Sequence, residues 1–253
     1  MNEKKLATGS SAERSLRLIS HLANEGRPLS LAELAEALVL PKATAHRLCT
    51  HLVELGFITR SVDEREYIVG PALRRLALDT LNHGTLQGLR HKILTELVAE
   101  VGETCNFTTL DGAEVLYLDR VEAPWPWRLT LDVGVHVPLH CTASGKLFLA
   151  LMPKARCHML ISRLKLPRLT TNTLTSADAL RQECARIAKQ GHALDCEEFI
   201  DGLVAAAVPV RDLAGEVRGA IAVHAPIARM SADRVAGCVP ALHAAAQRIG
   251  KQL

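Results

Sequence analysis

The segment 29–56, LSLAELAEALVLPKATAHRLCTHLVELG, constrains the fold most, because it predicts two short amphipathic helices joined by a tight turn. Ser30 and Glu33 have the spacing of a capping box, in which each side chain accepts a hydrogen bond from the other residue's amide at a helix start. The apolar face of the first helix is predicted to comprise Leu31, Leu34, Ala35 and Leu38. Pro41 suits the first position of the second helix, where its missing amide hydrogen costs nothing.

The second helix is predicted to bury one face and to expose a cationic one. The predicted buried residues are Ala45, Leu48, Leu52 and Leu55. Hydrogen-bonding side chains occupy the opposite face: Lys42, Thr44, His46, Arg47 and Thr50. Such side chains reach base edges and phosphates when a helix lies in a major groove, so the segment predicts a helix-turn-helix that reads DNA. The alternative is a pair of ordinary surface helices with solvated charges.

The flanking sequence extends this motif. The runs FITR and EYIV predict two short strands around the turn SVDER, and this hairpin carries Arg60 and Arg65 as a wing. Upstream, Ser10 and Glu13 repeat the capping-box spacing before another helix. The apolar face of that helix is predicted to be Leu16, Ile19, Leu22 and Ala23. Three helices and a hairpin predict a winged helix-turn-helix domain over residues 1–70.

The remainder predicts a different kind of domain. Residues 71–84 predict a linker helix that closes at Gly84. From residue 85 to residue 253, helices alternate with apolar runs typical of strands, including CNFTTL, EVLYLDRV, LVAAAVPV and VRGAIAVHA, and a last helix is expected from about Ser231. This order predicts an α+β fold with an antiparallel sheet flanked by helices.

Composition excludes several classes of protein. The sequence has no apolar run long enough to span a membrane and no secretory signal at its N-terminus, so we expect a cytoplasmic protein without a membrane partner. Seven cysteines lack disulfide or zinc-finger spacing, which indicates thiols in a reducing compartment. The net charge of +3 is too small to indicate nucleic-acid binding by itself, because a specific binder can concentrate its cations on one surface.

Several motifs together resemble the isocitrate lyase regulator (IclR) family of bacterial transcription factors over nearly the full length. The N-terminal ones are SAERSLRLI, SLAELAEAL, PKATAHRLCTHLVELGFI and YIVG. The C-terminal ones are GETCN, VPLHCTASGKLFLA, GHALDCEEFIDGLVAAAVPV and GAIAVHAP. The resemblance implies a GAF-like effector-binding domain for a small metabolite, often an organic or aromatic carboxylate. It also implies homodimers that commonly pair into tetramers on an operator.

The resemblance further implies an effector pocket, whose expected residues are Ala143, Ser144, Gly145, Asp195, Leu203, Ala205, Ala222 and His224. Amides at the helix start near Ser144 favour a bound carboxylate, although an ordinary capped helix fits the same sequence. Family members that bind small keto acids carry short polar or thiol side chains where this chain has Ala205, Ala222 and His224. We therefore expect an enlarged, drier pocket in which His224, as a donor or a cation, recognises a medium-sized acid.

The loop APWPWRL holds both tryptophans of the chain. Trp125 or Trp127 is predicted to cover a ligand, and Arg128 is predicted to pair with its anion. The alternative is that this loop fills an interface or a core.

Enzyme and metal interpretations are weaker. Ser144 and Lys146, two residues apart on a helix, point in different directions and so make a poor nucleophile and base pair, and ASGK lacks the leading glycine of a phosphate loop. A metal site remains an alternative for one group of residues, namely His136, His140, Cys141, Asp195 and Cys196. We predict no catalytic residue, no cofactor and no metal.

The sequence thus predicts a homo-oligomeric regulator that binds double-stranded DNA at a palindromic operator and responds to a small carboxylate. The alternative is a ligand-binding protein or metal-dependent enzyme whose helix-turn-helix contacts another protein.

Overall fold

The computed structural model describes residues 10–61, 65–81, 84–126 and 131–253. The chain divides into two compact units, residues 1–82 and 83–253, each with its own core. The finer boundaries at residues 70 and 84 stay predictions. Within the described residues, none of the helices has both the length and the apolar composition needed to cross a bilayer.

The first unit is a three-helix bundle with a small antiparallel sheet, followed by a fourth helix. Its elements are α1 (Ser11–Glu25), β1 (Leu29–Ser30), α2 (Leu31–Ala37), α3 (Lys42–Glu54), β2 (Ile58–Arg60), β3 (Glu66–Val69) and α4 (Pro71–Leu81). The strand order is β1-β3-β2, so the predicted hairpin is present and the short β1 adds a third strand that sequence analysis did not identify.

The capping box at the start of α2 is confirmed. The Glu33 amide donates to Ser30 Oγ at 3.3 Å, and the Ser30 amide donates to the Glu33 carboxylate at 2.8 Å. Three donors to the Glu33 carboxylate, the Ser30 amide, the Ser30 hydroxyl and Arg27, lower the pKa of Glu33 to about 2. At α1, Ser10 caps the Glu13 amide as predicted, whereas the Glu13 carboxylate pairs with Arg17 at 2.6 Å.

The core of the first unit differs in detail from the predicted faces. In α1, Leu18 and Leu22 are buried, whereas Leu16 is 65% exposed and Ala23 is also exposed. In α3, Cys49 completes the buried face in place of Leu55, which is 51% exposed. Apolar residues at neighbouring helix positions leave the rotation of a helix ambiguous, and the packing of the bundle decides it.

The second unit is built on one six-stranded antiparallel sheet. Its elements are α5 (Gly84–Val101), β4 (Thr104–Asp111), β5 (Glu114–Val121), β6 (His136–Pro138), α6 (Ala143–Leu151), α7 (Lys154–Arg163), α8 (Ala177–Gln190), β7 (Ala193–Cys196), β8 (Leu203–Arg211), β9 (Val217–Pro226), α9 (Ala232–Gly237) and α10 (Val239–Gly250). The strand order is β6-β5-β4-β9-β8-β7. The predicted α+β class and antiparallel sheet are confirmed.

Helices cover both faces of this sheet. Helices α5 and α10 pack against its central strands, and α6 packs across β7, β8 and β9. Ala205 and Ala207 of β8 belong to the cluster that includes residues of α6, α7 and α8. Because both faces are covered, β8 and β9 are almost continuously buried and show little polar alternation.

Three elements of this unit were not predicted: the short strands β6 and β7, and helix α7. The expected last helix is also two helices, since α9 begins after its cap Ser231 and α10 has a proline in its first turn.

Candidate nucleic-acid interface and ligand cavity

Helix α3 presents the predicted cationic face. The side chains of Lys42, His46, Arg47 and Thr50 are exposed, and Thr44 is half-buried. The Thr50 hydroxyl donates to the His46 carbonyl at 3.1 Å, so it offers a ligand mainly its oxygen as an acceptor. The structure therefore leaves all five predicted positions on the unburied side of the helix.

The turn between α2 and α3 contains an unusual backbone conformation. Val39 has a φ of 53°, in the left-handed region that β-branched residues rarely adopt. Its side chain is 52% exposed, so burial offsets little of that strain. The hydrogen bond from the Leu40 amide to the Ala35 carbonyl, at 2.9 Å, helps to hold the turn closed.

The wing carries two exposed arginines beside the bundle. Arg60, at the end of β2, lies 5.0 Å from the ring centroid of Tyr67 on β3, a cation–π contact. Arg65 is exposed just before β3. The tip of the wing, residues 62–64, lies outside the described residues.

The second unit contains a narrow cavity between the sheet and the start of α6. It encloses about 380 Å³ between its atoms, including space open to solvent. Its lining residues are Asn106, Tyr117, Leu131, Val137, Thr142, Ala143, Ser144, Asp195, Phe199, Leu203, Ala205, Ala222 and His224. The part of it that a water molecule can enter is only about 20 Å³, roughly the room of one water molecule.

Eight pocket residues were expected from the family motifs, and seven of them line this cavity. The exception is Gly145. Gly145 instead fixes the position of α6. Its amide donates to the Thr142 hydroxyl at 3.1 Å, which caps the helix, and a Cβ there would lie only 2.5 Å from Leu139 Cα. The helix can approach the preceding backbone this closely only because residue 145 has no side chain.

Of the tryptophan loop, the structure describes Trp125. The Trp125 indole nitrogen donates to the Gly102 carbonyl at 2.9 Å, and Arg229 lies 5.5 Å from the ring centroid. Trp125 is not among the described residues that line the cavity. Trp127 and Arg128 lie outside the described residues.

His224 differs from the prediction in its charge. Its Nε2 lies 3.2 Å from Arg120 Nη1, and its Nδ1 lies 3.2 Å from the amide nitrogen of Asn106. Burial, together with the charge of Arg120, lowers the pKa of His224 to about 3. The imidazole is therefore neutral at pH 7, so of the two predicted roles, donor or cation, the structure does not support the cation.

Two further buried groups give the cavity its polarity. The Asp195 carboxylate accepts hydrogen bonds from the amides of Glu198, at 2.8 Å, and Phe199, at 3.4 Å. Burial still raises the pKa of Asp195 to about 7. Burial also raises the pKa of Tyr117 to about 12, which keeps its phenol neutral and able to donate.

Lys146 and the histidines considered for a metal site have other partners. Lys146 is buried and pairs with Glu198, and Glu183 lies 3.6 Å from it. His136 pairs with Asp111 at 2.9 Å, and His140 Nε2 lies 3.1 Å from the Pro167 carbonyl. Among the described residues, histidine, cysteine and acidic side chains form no group of three suited to a metal ion.

Sequence reasoning missed Asn106 and Tyr117. Asn106 was quoted within GETCN without a chemical role, and Tyr117 lies within the run EVLYLDRV. Tyr117 is a polar group between the buried residues Leu116 and Leu118, a signal that could have identified it, whereas β4 contains several other polar residues and nothing local singles out Asn106.

Comparison with known proteins decides the family. The model of the bacterial transcriptional regulator IclR C-terminal domain matches residues 79–251, and that of the IclR helix-turn-helix domain matches residues 11–61. The chain belongs to the IclR family of bacterial transcriptional regulators. It is therefore a DNA-binding regulator with an effector-binding domain.

Individual relatives agree with this assignment. The chain is 40% identical to the probable transcriptional regulator SauR of Cupriavidus necator over 96% of this chain and 97% of that protein. It is 32% identical to the transcriptional repressor IclR of Escherichia coli K12 over 90% of this chain and 85% of that protein. These relatives are transcriptional regulators rather than enzymes, so the enzyme alternative is not supported.

A solved relative also contains a ligand. The crystal structure of an IclR homolog from Microbacterium hydrocarbonoxydans, complexed with 4-hydroxybenzoate, matches this IclR-family chain with a TM-score of 0.60 and 25% identity. The match covers 96% of this chain and 99% of that one.

Proposed function

We propose that this IclR-family chain is a homo-oligomeric regulator that binds a palindromic operator and changes its DNA affinity when a small organic acid occupies the cavity of the second unit. The observation that carries the DNA half is the α3 face, which leaves Lys42, His46 and Arg47 exposed above a buried core. Two-fold symmetry in a dimer would present this face twice, which requires an inverted repeat in the DNA. Because the chain acts on chromosomal DNA, it works in the cytoplasm.

In this proposal, Lys42, Thr44, His46 and Arg47 face the major groove, with Thr50 beside them. Arg60 and Arg65 of the wing contact phosphates or the minor groove. Base contacts by α3 supply sequence specificity, whereas phosphate contacts fix the orientation of the domain on the duplex.

The chemistry of the cavity lining supports an organic acid as the effector. Amides at the start of α6 and the phenol of Tyr117 donate hydrogen bonds, while Ala205 and Ala222 leave apolar space. The ligand of the Microbacterium relative is an aromatic acid of this chemical class. We therefore extend the proposal to aromatic carboxylates.

An effector can regulate DNA binding only if it has different affinities for two arrangements of the oligomer. We propose that helix α4 and the predicted linker 71–84 transmit this difference between the units.

The experiment is operator binding by the purified full chain, using DNA fragments selected by the protein from a random pool. Arg47→Ala should weaken binding by at least about fivefold, equivalent to about 1 kcal/mol. Arg163→Ala is the matched control, because Arg163 is an exposed arginine at the end of α7 in the other unit. An unchanged affinity in Arg47→Ala would remove this residue from the interface.

Salt dependence tests DNA binding more generally. Affinity should fall steeply as salt is raised, because phosphate contacts release counterions. If no fragment is enriched and added salt has no effect, the helix-turn-helix is a protein-interaction module and the DNA half of the proposal fails.

A further inference from the structure

Three polar side chains are joined across the sheet at the inner wall of the cavity. Asn106 of β4 is paired with Arg120 of β5 on one side and with Ala222 of β9 on the other. His224 lies two residues along β9 from Ala222. Asn106 is fully buried and His224 is 6% exposed, so the hydrogen bonds between these residues form almost entirely out of water.

The chemistry of Arg120 fixes which nitrogen of His224 carries the proton. A guanidinium only donates hydrogen bonds, so Nε2 of His224, 3.2 Å from Arg120 Nη1, must be the acceptor. The proton of the neutral imidazole is then on Nδ1, which must donate to an acceptor.

The group that faces Nδ1 is the side-chain amide of Asn106. With the amide nitrogen placed 3.2 Å from Nδ1, two donors oppose each other, and the buried Oδ1 of Asn106 has no hydrogen-bond partner among the described residues. A rotation of the amide by 180° removes the clash of donors, because Oδ1 then accepts from Nδ1–H, and it places the NH₂ group at the position where no described residue offers a partner. An amide oxygen and nitrogen have nearly the same shape, so this rotation needs no other movement.

We infer that Asn106 determines the specificity of the cavity, with its oxygen held by His224 Nδ1–H and its NH₂ group donating to an oxygen of the bound acid. Arg120 is a positioning residue, since it acts through His224. The presence of a ligand rests on the proposed function, whereas the directions of the hydrogen bonds among Asn106, Arg120 and His224 do not depend on it.

The surroundings of the amide leave it accessible to a small molecule. Asn106 lines the cavity, and its cross-strand neighbour Ala222 is too short to cover it. Both ring nitrogens of His224 have protein partners, so of His224 and Asn106 it is the Asn106 amide that offers a polar group to a ligand, beside the phenol of Tyr117. A buried donor at a position where no described residue offers a partner favours ligands that bring an acceptor oxygen, such as a carboxylate or a carbonyl.

The first test needs no ligand. In the full chain labelled with ¹⁵N-histidine, nitrogen NMR should show His224 as the neutral tautomer protonated on Nδ1 between pH 8 and pH 5, with His224→Gln used for assignment. Arg120→Met should shift the tautomer toward Nε2–H, and Arg120→Lys should restore the wild-type signal. A wild-type His224 protonated on Nε2, or doubly protonated at pH 6, would overturn the inference.

The second test measures binding of pyruvate, benzoate and 4-hydroxybenzoate by calorimetry. Asn106→Asp keeps an oxygen for His224 but replaces the donor with an acceptor, so the acid that binds the wild type should bind at least tenfold more weakly. Asn172→Asp is the matched control, because Asn172 is exposed and donates to the Cys196 carbonyl outside this cavity. Equal affinity in Asn106→Asp and the wild type would refute the role of Asn106.

The two tests separate the two proposals. If none of the three acids binds while His224 has the expected tautomer, the effector class is wrong and the orientation of Asn106 stands. If an acid binds while the tautomer is Nε2–H, the effector class stands and the role of Asn106 fails.

Discussion

Replacing Gly145 with alanine tests how the cavity is built. A Cβ at this position would lie 2.5 Å from Leu139 Cα and 2.7 Å from its carbonyl carbon, whereas carbon atoms normally pack at about 3.5–4.0 Å. Both obstacles are backbone atoms, so the start of α6 must move by roughly 1 Å or more. Such overpacking costs about 1–3 kcal/mol, and a backbone clash belongs at the upper end.

The helix propensity of alanine opposes this cost by up to about 1 kcal/mol. We therefore expect Gly145→Ala to lower the free energy of unfolding of the second unit by about 2 kcal/mol. Gly88→Ala is the matched control, because Gly88 is a helical glycine in α5 where a Cβ would have nothing within 4 Å. That variant should be neutral or more stable than the wild type by up to about 1 kcal/mol.

Urea unfolding followed by tryptophan fluorescence measures this difference. Both tryptophans, Trp125 and Trp127, belong to the second unit, so their signal reports on the domain that carries the change. The two variants should differ in unfolding free energy by about 2–3 kcal/mol. Equal urea midpoints for Gly145→Ala and Gly88→Ala would refute the close approach of α6 to Leu139.

Three other substitutions test charge and backbone geometry. The pKa of Asp195 is raised from 3.8 to about 7, so the folded chain keeps a proton that the unfolded chain loses in this window, and stability falls as pH rises through it. At pH 8, Asp195→Asn should therefore be more stable than the wild type by at most about 4 kcal/mol, and at pH 4 it should show no gain. Urea unfolding measures both values, and equal gains at the two pH values would contradict this. Val39→Gly should raise the stability of the first unit by about 1 kcal/mol, because glycine adopts the left-handed conformation without strain. Hydrogen exchange measures this stability, and a loss of amide protection in the variant would argue against that conformation. Ser30→Ala should lower the stability of the first unit by about 1 kcal/mol at pH 7, measured by the same method. The loss should become smaller as the pH falls from 4.5 toward 2, because Glu33 is then protonated. Equal stability of the variant and the wild type at pH 7 would exclude the capping box.

The first unit could be predicted well from local signals. Ser30 and Glu33 identify the start of α2 because capping involves neighbouring residues only. The buried face of α1 could not be fixed in the same way, since Leu16, Leu18 and Leu22 are all apolar and only the packing of the bundle selects Leu18 and Leu22.

The cavity shows where sequence reasoning stops. Ala205, Ala222 and His224 were placed through family motifs, and the structure brings them together. The neutral state of His224 could not be predicted, because it depends on burial by the folded sheet and on the charge of Arg120, which lies 104 residues away in the chain. The role of Asn106 depends on the same pairing of β4, β5 and β9, which no local pattern specifies.

The most direct test of the account is the affinity of the full chain for its selected DNA, with and without the acid that binds most tightly. In the wild type, saturating acid should change this affinity by at least about fivefold, as expected for a coupling free energy of 1 kcal/mol or more. In Ala222→Leu, whose larger side chain fills part of the cavity, the same acid should leave DNA affinity unchanged. An unchanged affinity in the wild type, or an equal response in Ala222→Leu, would contradict control of DNA binding through this cavity.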